Sequence, residues 1–334
     1  MSRYIVIGAG AVGALLAAQW TLARVPAVLV ARGEALEVIA RDGVRVRRPE
    51  GDDVVEVDVV GSIAEARPTL SDTVVLAVKS QDAEAAIATI AWVPLDDGRG
   101  VVADLPILTL QNGLAAEDIA LRRFDRVIGV SIGIPASHLE PGVIVSPARP
   151  VIGVAWIGGY PASLPSEEER HRAAFASALF GAYIEPDIAA AKRRKLIGNL
   201  RNVVGVFSAT LEDAELAERL LADEARTVFA DAGLTVAPPS RDASPLIIGD
   251  VPGHEPGHLS TWQSFARGSS SEVDYLSGEI ALIARRHELE APLNAAVARE
   301  LGALAARGGR PGEVGLPPEF ASGVPARTRS AVRA

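Results

Sequence analysis

The chain has 334 residues, 49% hydrophobic and 22% charged, with a formal net charge of −9 at pH 7. That length accommodates two domains with a core each, and the apolar content lies far above the range of disordered chains. The negative balance argues against a nucleic-acid partner, and the absence of cysteine excludes disulfides, thiolate nucleophiles and Cys-bound metal. The N-terminal apolar run is broken by glycines and no A-x-A cleavage site follows it. No window reaches the roughly 20 uninterrupted apolar residues of a membrane span, so a soluble cytoplasmic protein without membrane contact is expected.

In chain order, residues 3–8 (RYIVIG) form a short apolar run with β-branched residues, the pattern of a buried strand. The Ala- and Leu-rich stretch 11–23 reads as a helix, and AVLVA at 27–31 as the next strand, which completes a βαβ unit. Segments 44–49 and 54–60 alternate like an exposed hairpin inserted after it. A strand (73–78), a helix (83–91), a strand (107–110) and a helix (about 114–122) follow, and 127–134, 143–147 and 151–156 read as strands closing the sheet. Strands alternating with helices imply a mostly parallel sheet covered on both faces.

The texture changes near residue 186. Residues 188–234 are helical in pattern, a Pro-, Gly- and His-rich loop covers 236–259, and helices resume from about 260 to 306. The expected organisation is an α/β domain over 1–186, an all-α domain over 187–307 that offers a face for a homodimer, and a disordered tail at 308–334 with no periodicity.

Gly8, Gly10 and Gly13 spell G-A-G-A-V-G between the first strand and the first helix. In that setting the first glycine permits a tight turn, the second lets the backbone approach a pyrophosphate, and the third allows close helix packing. The helix N-terminus then presents its N–H groups to the phosphates. The turn, Gly8, Ala9, Gly10, Ala11, Val12 and Gly13, is therefore the candidate dinucleotide site of a Rossmann-type domain. Where NAD sites place an acidic residue after the second strand, this chain has Ala31-Arg32-Gly33, and the Arg32 fork suits a 2′-phosphate. NADP(H) is the expected cofactor.

Hydride addition to a carbonyl needs a proton donor or cation at the oxygen. No Tyr-x-x-x-Lys pair is evident, and His138, His171 and His287 sit on a connection or in charged runs. His254 and His258 match H-E-x-x-H formally, but Pro256 and Gly257 between them oppose the helix that a zinc site of this kind requires, so no metal is expected. Lys195 is followed at helical spacing by Asn199 and Asn202, which projects all three from one face.

Five spaced motifs resemble the ketopantoate reductase (2-dehydropantoate 2-reductase) family: IGAGAVG; VVLAVKS, which carries Lys79; LQNGL, with Asn112 before Gly113; KLIGN, with Lys195 and Asn199; and STWQSFARGSSSEVDYLSGEI, with Ser260 twelve residues before Glu272. The resemblance spans about residues 3–300. It implies NADPH-dependent reduction of a small 2-oxo acid, such as ketopantoate in pantothenate biosynthesis, in a cleft between the two domains. It implies Lys195 as general acid, with Glu272 orienting it and touching the cofactor ribose region. Asn199 and Ser260 would hold the substrate, Ser260 near its carboxylate; Asn112 would sit beside nicotinamide and substrate, and Lys79 would border the cofactor.

One position departs from the pattern. Pantoate-forming members typically carry a second Asn eight residues after the catalytic Lys, where this chain has Val203. The nearest amide, Asn202, is turned about 100° around the helix from that position. Two other readings are an opine-, imine- or related keto-acid reductase, and an NADP-binding sensor without catalysis. Retention of Lys195, Asn199 and Glu272 together argues against the sensor, because sensing needs no proton donor.

Overall fold

The computed structural model describes residues 2–239, 245–254, 259–268 and 271–321. The chain divides into two compact units: the first is Met1–Gln111, Ala115–Ala191 and Pro239–His254, the second Asn112–Leu114, Lys192–Pro238 and Glu255–Ala334.

The first unit runs β1 (Tyr4–Ile7), α1 (Ala11–Leu22), β2 (Ala27–Val30), α2 (Gly33–Asp42), β3 (Val44–Arg48), β4 (Gly51–Val55), β5 (Val59–Val60), β6 (Thr73–Leu76), α3 (Ala83–Ile90), β7 (Ile107–Thr109), α4 (Ala115–Leu121), β8 (Val127–Gly133), β9 (Ser137–Glu140), β10 (Val143–Val145), β11 (Ala148–Pro150), β12 (Gly153–Tyr160), α5 (Pro165–Ser177) and β13 (Phe180–Ile184). Its main sheet has the order β13-β12-β8-β7-β6-β1-β2-β5, parallel except where β12 runs against β8. β1 shows why the strands read as unbroken apolar runs. Tyr4 and Val6 pack into the core shared with α1 and α5, while Ile5 and Ile7 enter the core shared with α3 and α4. With both faces covered, alternation disappears.

The insert after α2 is the expected hairpin, β3 against β4, but Val59 and Val60 join the main sheet beside β2. Residues 143–145, expected to close the main sheet, do the reverse: β10 pairs with β3 and β9 in a separate four-stranded sheet. His138, expected on a connection, lies within β9. Helix α5 and strand β13 have no counterpart in the sequence reading. The buried face of α5 consists of Glu168, His171 and Phe175, so charge conceals its spacing.

The second unit begins within α6 (Ile188–Asn199) and continues through α7 (Arg201–Val204), α8 (Leu211–Asp231), α9 (Ser260–Ala266), α10 (Ser277–Arg286) and α11 (Pro292–Ala306). Ala217, Leu221, Ala225 and Val228 form one buried stripe of α8 and pack with Ile280, Val297, Leu301 and Leu304. Buried Glu224 secures the start of α11 by accepting from Leu293 N (2.9 Å), Asn294 N (2.8 Å) and Asn294 Nδ2 (2.8 Å). Burial pushes its carboxyl above the usual range, and the three donors oppose that shift.

Two boundaries differ from the expectation. Residues 239–254 belong to the first unit, because β14 (Leu246–Ile248) pairs antiparallel with β11 about a hundred residues earlier. Residues 308–321, expected within a disordered tail, pack onto the helical unit. Gly312 N donates to Val206 O (2.8 Å), Ser208 N to Val314 O (2.7 Å), and Phe320 joins the helical core. These pairings are non-local, so local periodicity carries no trace of them. Residues 322–334 lie outside the described residues, as do Pro256, Gly257 and His258 of the H-E-x-x-H match. Among the described residues no helix is long and apolar enough to cross a membrane, and no three His, Asp or Glu side chains gather as a metal site.

β1 is tied to α5 through a buried polar contact. The Tyr4 hydroxyl and His171 Nδ1 lie 2.9 Å apart, and Glu167 lies 3.4 Å from Nε2. Burial pushes the Tyr4 hydroxyl up to about 12, so it remains protonated; whether it gives or takes the hydrogen bond with Nδ1 follows the imidazole tautomer. Burial also holds the His171 imidazole below its ordinary 6.5, with Glu167 opposing. From pH 6.5 down to that lowered value, the unfolded chain binds a proton that the native state refuses. Stability therefore falls with acidification across this window, by up to about 1.4 kcal/mol per pH unit for one such group. Urea midpoints measured from pH 7.5 to 5 should decline more steeply for the wild type than for His171→Gln. Equal slopes would show that the imidazole does not govern the window.

Candidate active site

The glycine turn follows β1 directly. Gly8 adopts φ +110°, and a Cβ there would lie 3.0–3.2 Å from Val78 Cγ1, Val78 N and Ala77 C. A Cβ on Gly13 would fall 1.9 Å from Gly8 O, so only glycine lets the helix start this close to the turn. Gly10 is the N-cap of α1; it is exposed and has open space where its Cβ would be. No side chain caps α1 and its first turn holds no acidic residue. Between Ala9, Ala11 and Val12, the N–H groups and dipole of α1 are left to an anion that can approach at Gly10. This arrangement fits the phosphates of a dinucleotide.

The parallel register places the other candidates on the same edge of the sheet. Ile7 pairs with Val30 on one side and with Leu76 on the other. Arg32, exposed, is the N-cap of α2 just past β2, and Lys79, half-buried, follows β6 by three residues. The chain leaves β1 towards β2 on one side while β6 flanks it on the other, which makes β1 a topological switch point, where ligands of open α/β sheets bind. Gln111, which the sequence reading passed over, belongs to this edge. Its buried Nε2 donates to Leu76 O (2.8 Å) and Val78 O (2.9 Å). The only signal for it was its place in LQNGL.

In the second unit, Asn112 Oδ1 accepts from Lys195 Nζ at 2.7 Å and from Asn199 Nδ2 at 3.1 Å. Lys195 and Asn199 are one turn apart on α6, so their side chains share a face. A neutral amide oxygen orients the ammonium without neutralising its charge, and the two donors fix which way the Asn112 amide points. Gly113, at φ +81°, lies against the segment that holds Glu272: its Cβ would come 2.5 Å from Tyr275 O. Glu272 is 9% exposed and precedes the short helical turn 273–275. Asn112, Lys195 and Asn199 are thus in contact, and the Glu272–Tyr275 segment lies against the neighbouring Gly113.

Asn202 and Ser260 do not join that contact. α6 ends at Asn199 and α7 starts at Arg201, and Leu200 between them keeps helical backbone angles (φ −61°, ψ −26°), with its N donating to Leu196 O at 3.1 Å. Val203 is fully buried in the helical core, among Leu200, Val204 and their neighbours. The residue that marks the departure from the family pattern is therefore a packing residue here. Ser260 is exposed and opens α9; its side chain makes no cap bond there, since the cap position is Leu259.

Comparison with known proteins agrees with this arrangement of elements. The family model described as Ketopantoate reductase PanE/ApbA matches residues 4–159, and its C-terminal counterpart matches 187–305. A 2-dehydropantoate 2-reductase from Pyrococcus horikoshii is 27% identical over 300 residues, covering 87% of this chain and 94% of that protein. Among solved structures, a PanE/ApbA family ketopantoate reductase from Ralstonia eutropha JMP134 aligns with TM-score 0.72 at 20% identity, over 92% of this chain and 99% of that one. A D-mandelate dehydrogenase, in a ternary structure with NADH and anilino(oxo)acetate, aligns with the same TM-score at 16% identity and the same coverage. The chain, an α/β sheet unit followed by a helical one, belongs to the ketopantoate reductase PanE/ApbA family of oxidoreductases.

Proposed function

We propose that this protein reduces a small 2-oxo acid to the 2-hydroxy acid with NADPH, and that 2-dehydropantoate is the first substrate to test. The observation that carries the reading is the Lys195 ammonium held by Asn112 Oδ1 beside Asn199. A bound nicotinamide supplies the hydride. Lys195 gives its proton to the substrate oxygen and stabilises charge that develops there only in the transition state. Asn112 holds the ammonium in place, Asn199 and Ser260 bind the substrate, and Glu272 orients Lys195. The uncapped α1 N-terminus, with Gly10 facing open space, takes the pyrophosphate, while Arg32 takes the 2′-phosphate and selects NADPH over NADH.

A second reading, a related keto-acid reductase with a different substrate, is favoured by Val203. With this side chain in the core, the position that carries the second amide in pantoate-forming members offers none here. The fold shared with D-mandelate dehydrogenase shows that this architecture serves an aryl 2-hydroxy acid elsewhere.

NADPH oxidation against a panel of 2-oxo acids that includes ketopantoate and phenylglyoxylate separates the two readings; no turnover on any member would refute both. Lys195→Ala should lower kcat by about 10²-fold or more, the scale of a lost general acid, and an unchanged kcat would remove Lys195 from the mechanism. For Arg32→Ala, the NADPH-to-NADH ratio of kcat/KM should drop by about 10-fold or more, the loss of one charge-assisted contact. The glycines should divide by role. Gly10→Ala should keep the wild-type Tm and weaken NADPH binding, whereas Gly13→Ala should cost about 1–3 kcal/mol of stability through overpacking. Thermal melts with and without NADPH distinguish the two effects.

A further inference from the structure

We propose that Gln111 is a positioning residue for the dinucleotide, acting through the backbone of residues 77–79. The inference rests on the reading of the first unit as NADPH-binding. Leu76 is the last residue of β6, and its carbonyl already accepts from Leu110 N at 3.2 Å. Beyond that point the β6–β7 ladder ends, and the Gln111 side chain extends it: one amide nitrogen bridges Leu76 O at 2.8 Å and Val78 O at 2.9 Å.

The two carbonyls flank Ala77 and Val78, the wall on which the glycine turn is packed. The Cβ positions that Gly8 and Gly13 leave empty lie 3.1 Å from Val78 N and 3.0 Å from Ala77 Cβ. On the other side, Ala77 N donates to Ile7 O at 2.9 Å, so the segment is fixed to both neighbours of β6. Lys79 follows at once. Gln111 is 4% exposed, and the amide must donate in two directions from inside the protein, which no apolar or acceptor-only side chain does. Without it, Leu76 O keeps only Leu110 N, part-buried Val78 O loses the amide donor, and residues 77–79 are released from the β7 side. The turn and Lys79 then shift together. The clamp serves the cofactor and takes no part in the chemistry.

The experiment measures NADP(H) dissociation constants and steady-state kinetics for Gln111→Met, Gln111→Glu and the wild type. Gln111→Met keeps the length without the donors; it should weaken NADPH binding by about 10-fold or more, while kcat at saturating NADPH changes less than about 3-fold. In a Lys79→Met background the same substitution should cost less, because its effect passes through Lys79 in part. Gln111→Glu gives an independent readout if the Met variant does not fold. Its ionised carboxylate faces two carbonyl oxygens, but its protonated form donates again, so NADP+ affinity should climb towards the wild-type value as pH falls. A folded Gln111→Met with wild-type affinity, a loss confined to kcat, or a Gln111→Glu affinity that tracks the wild type across pH would each overturn the proposal. A wild type that does not bind NADPH at all would instead refute the functional reading beneath it.

Discussion

A single carbonyl oxygen organises the candidate chemistry. Asn112 Oδ1 receives an ammonium and an amide from residues 83 and 87 positions later in the chain. Because an amide oxygen has two acceptor directions and both are used, the side chains of Lys195 and Asn199 are fixed relative to the turn that carries Asn112. That turn is itself constrained, since Gly113 occupies a left-handed conformation and leaves no room for a Cβ against Tyr275 O. An ammonium on a helix face is ordinarily a solvated charge with many rotamers. Here it is tied to Asn112 before any ligand arrives, so less rotamer freedom is left to lose in the proposed reaction.

The cofactor side depends on a contact of a different kind, close packing of backbone on backbone. Gly13 sits so near Gly8 O that the first turn of α1 is pressed onto the end of β1. The dipole of α1 is thereby directed along the strand edge where Arg32 and Lys79 also lie. Charge, helix end and strand ends coincide because the parallel sheet brings every strand of this region to the same edge.

The sequence made these local features readable. Spaced glycines announce a turn, so the glycine turn could be picked out without coordinates; helical spacing put Lys195 and Asn199 on one face, and the resemblance of KLIGN to the family motif made them candidates. Gln111 could not. Its role arises from two carbonyls more than thirty residues earlier, and no local pattern encodes that pairing. Charge hid α5, whose inward residues include a glutamate and a histidine. Likewise, low periodicity after Gly308 masked a segment held by backbone bonds to residues 206 and 208 and by one buried phenylalanine.

The two units are interleaved along the chain, and this has a consequence for synthesis. The sheet unit gains its last strand, β14, only after α8 of the helical unit has been made. The helical core in turn gains Phe320, well after α11. The sheet unit therefore cannot finish as a block over its first 191 residues, and waits until 239–254 have been made. During translation β11 must wait with an unpaired edge for a partner about a hundred codons downstream, a stretch over which transient exposure of strand edges favours aggregation.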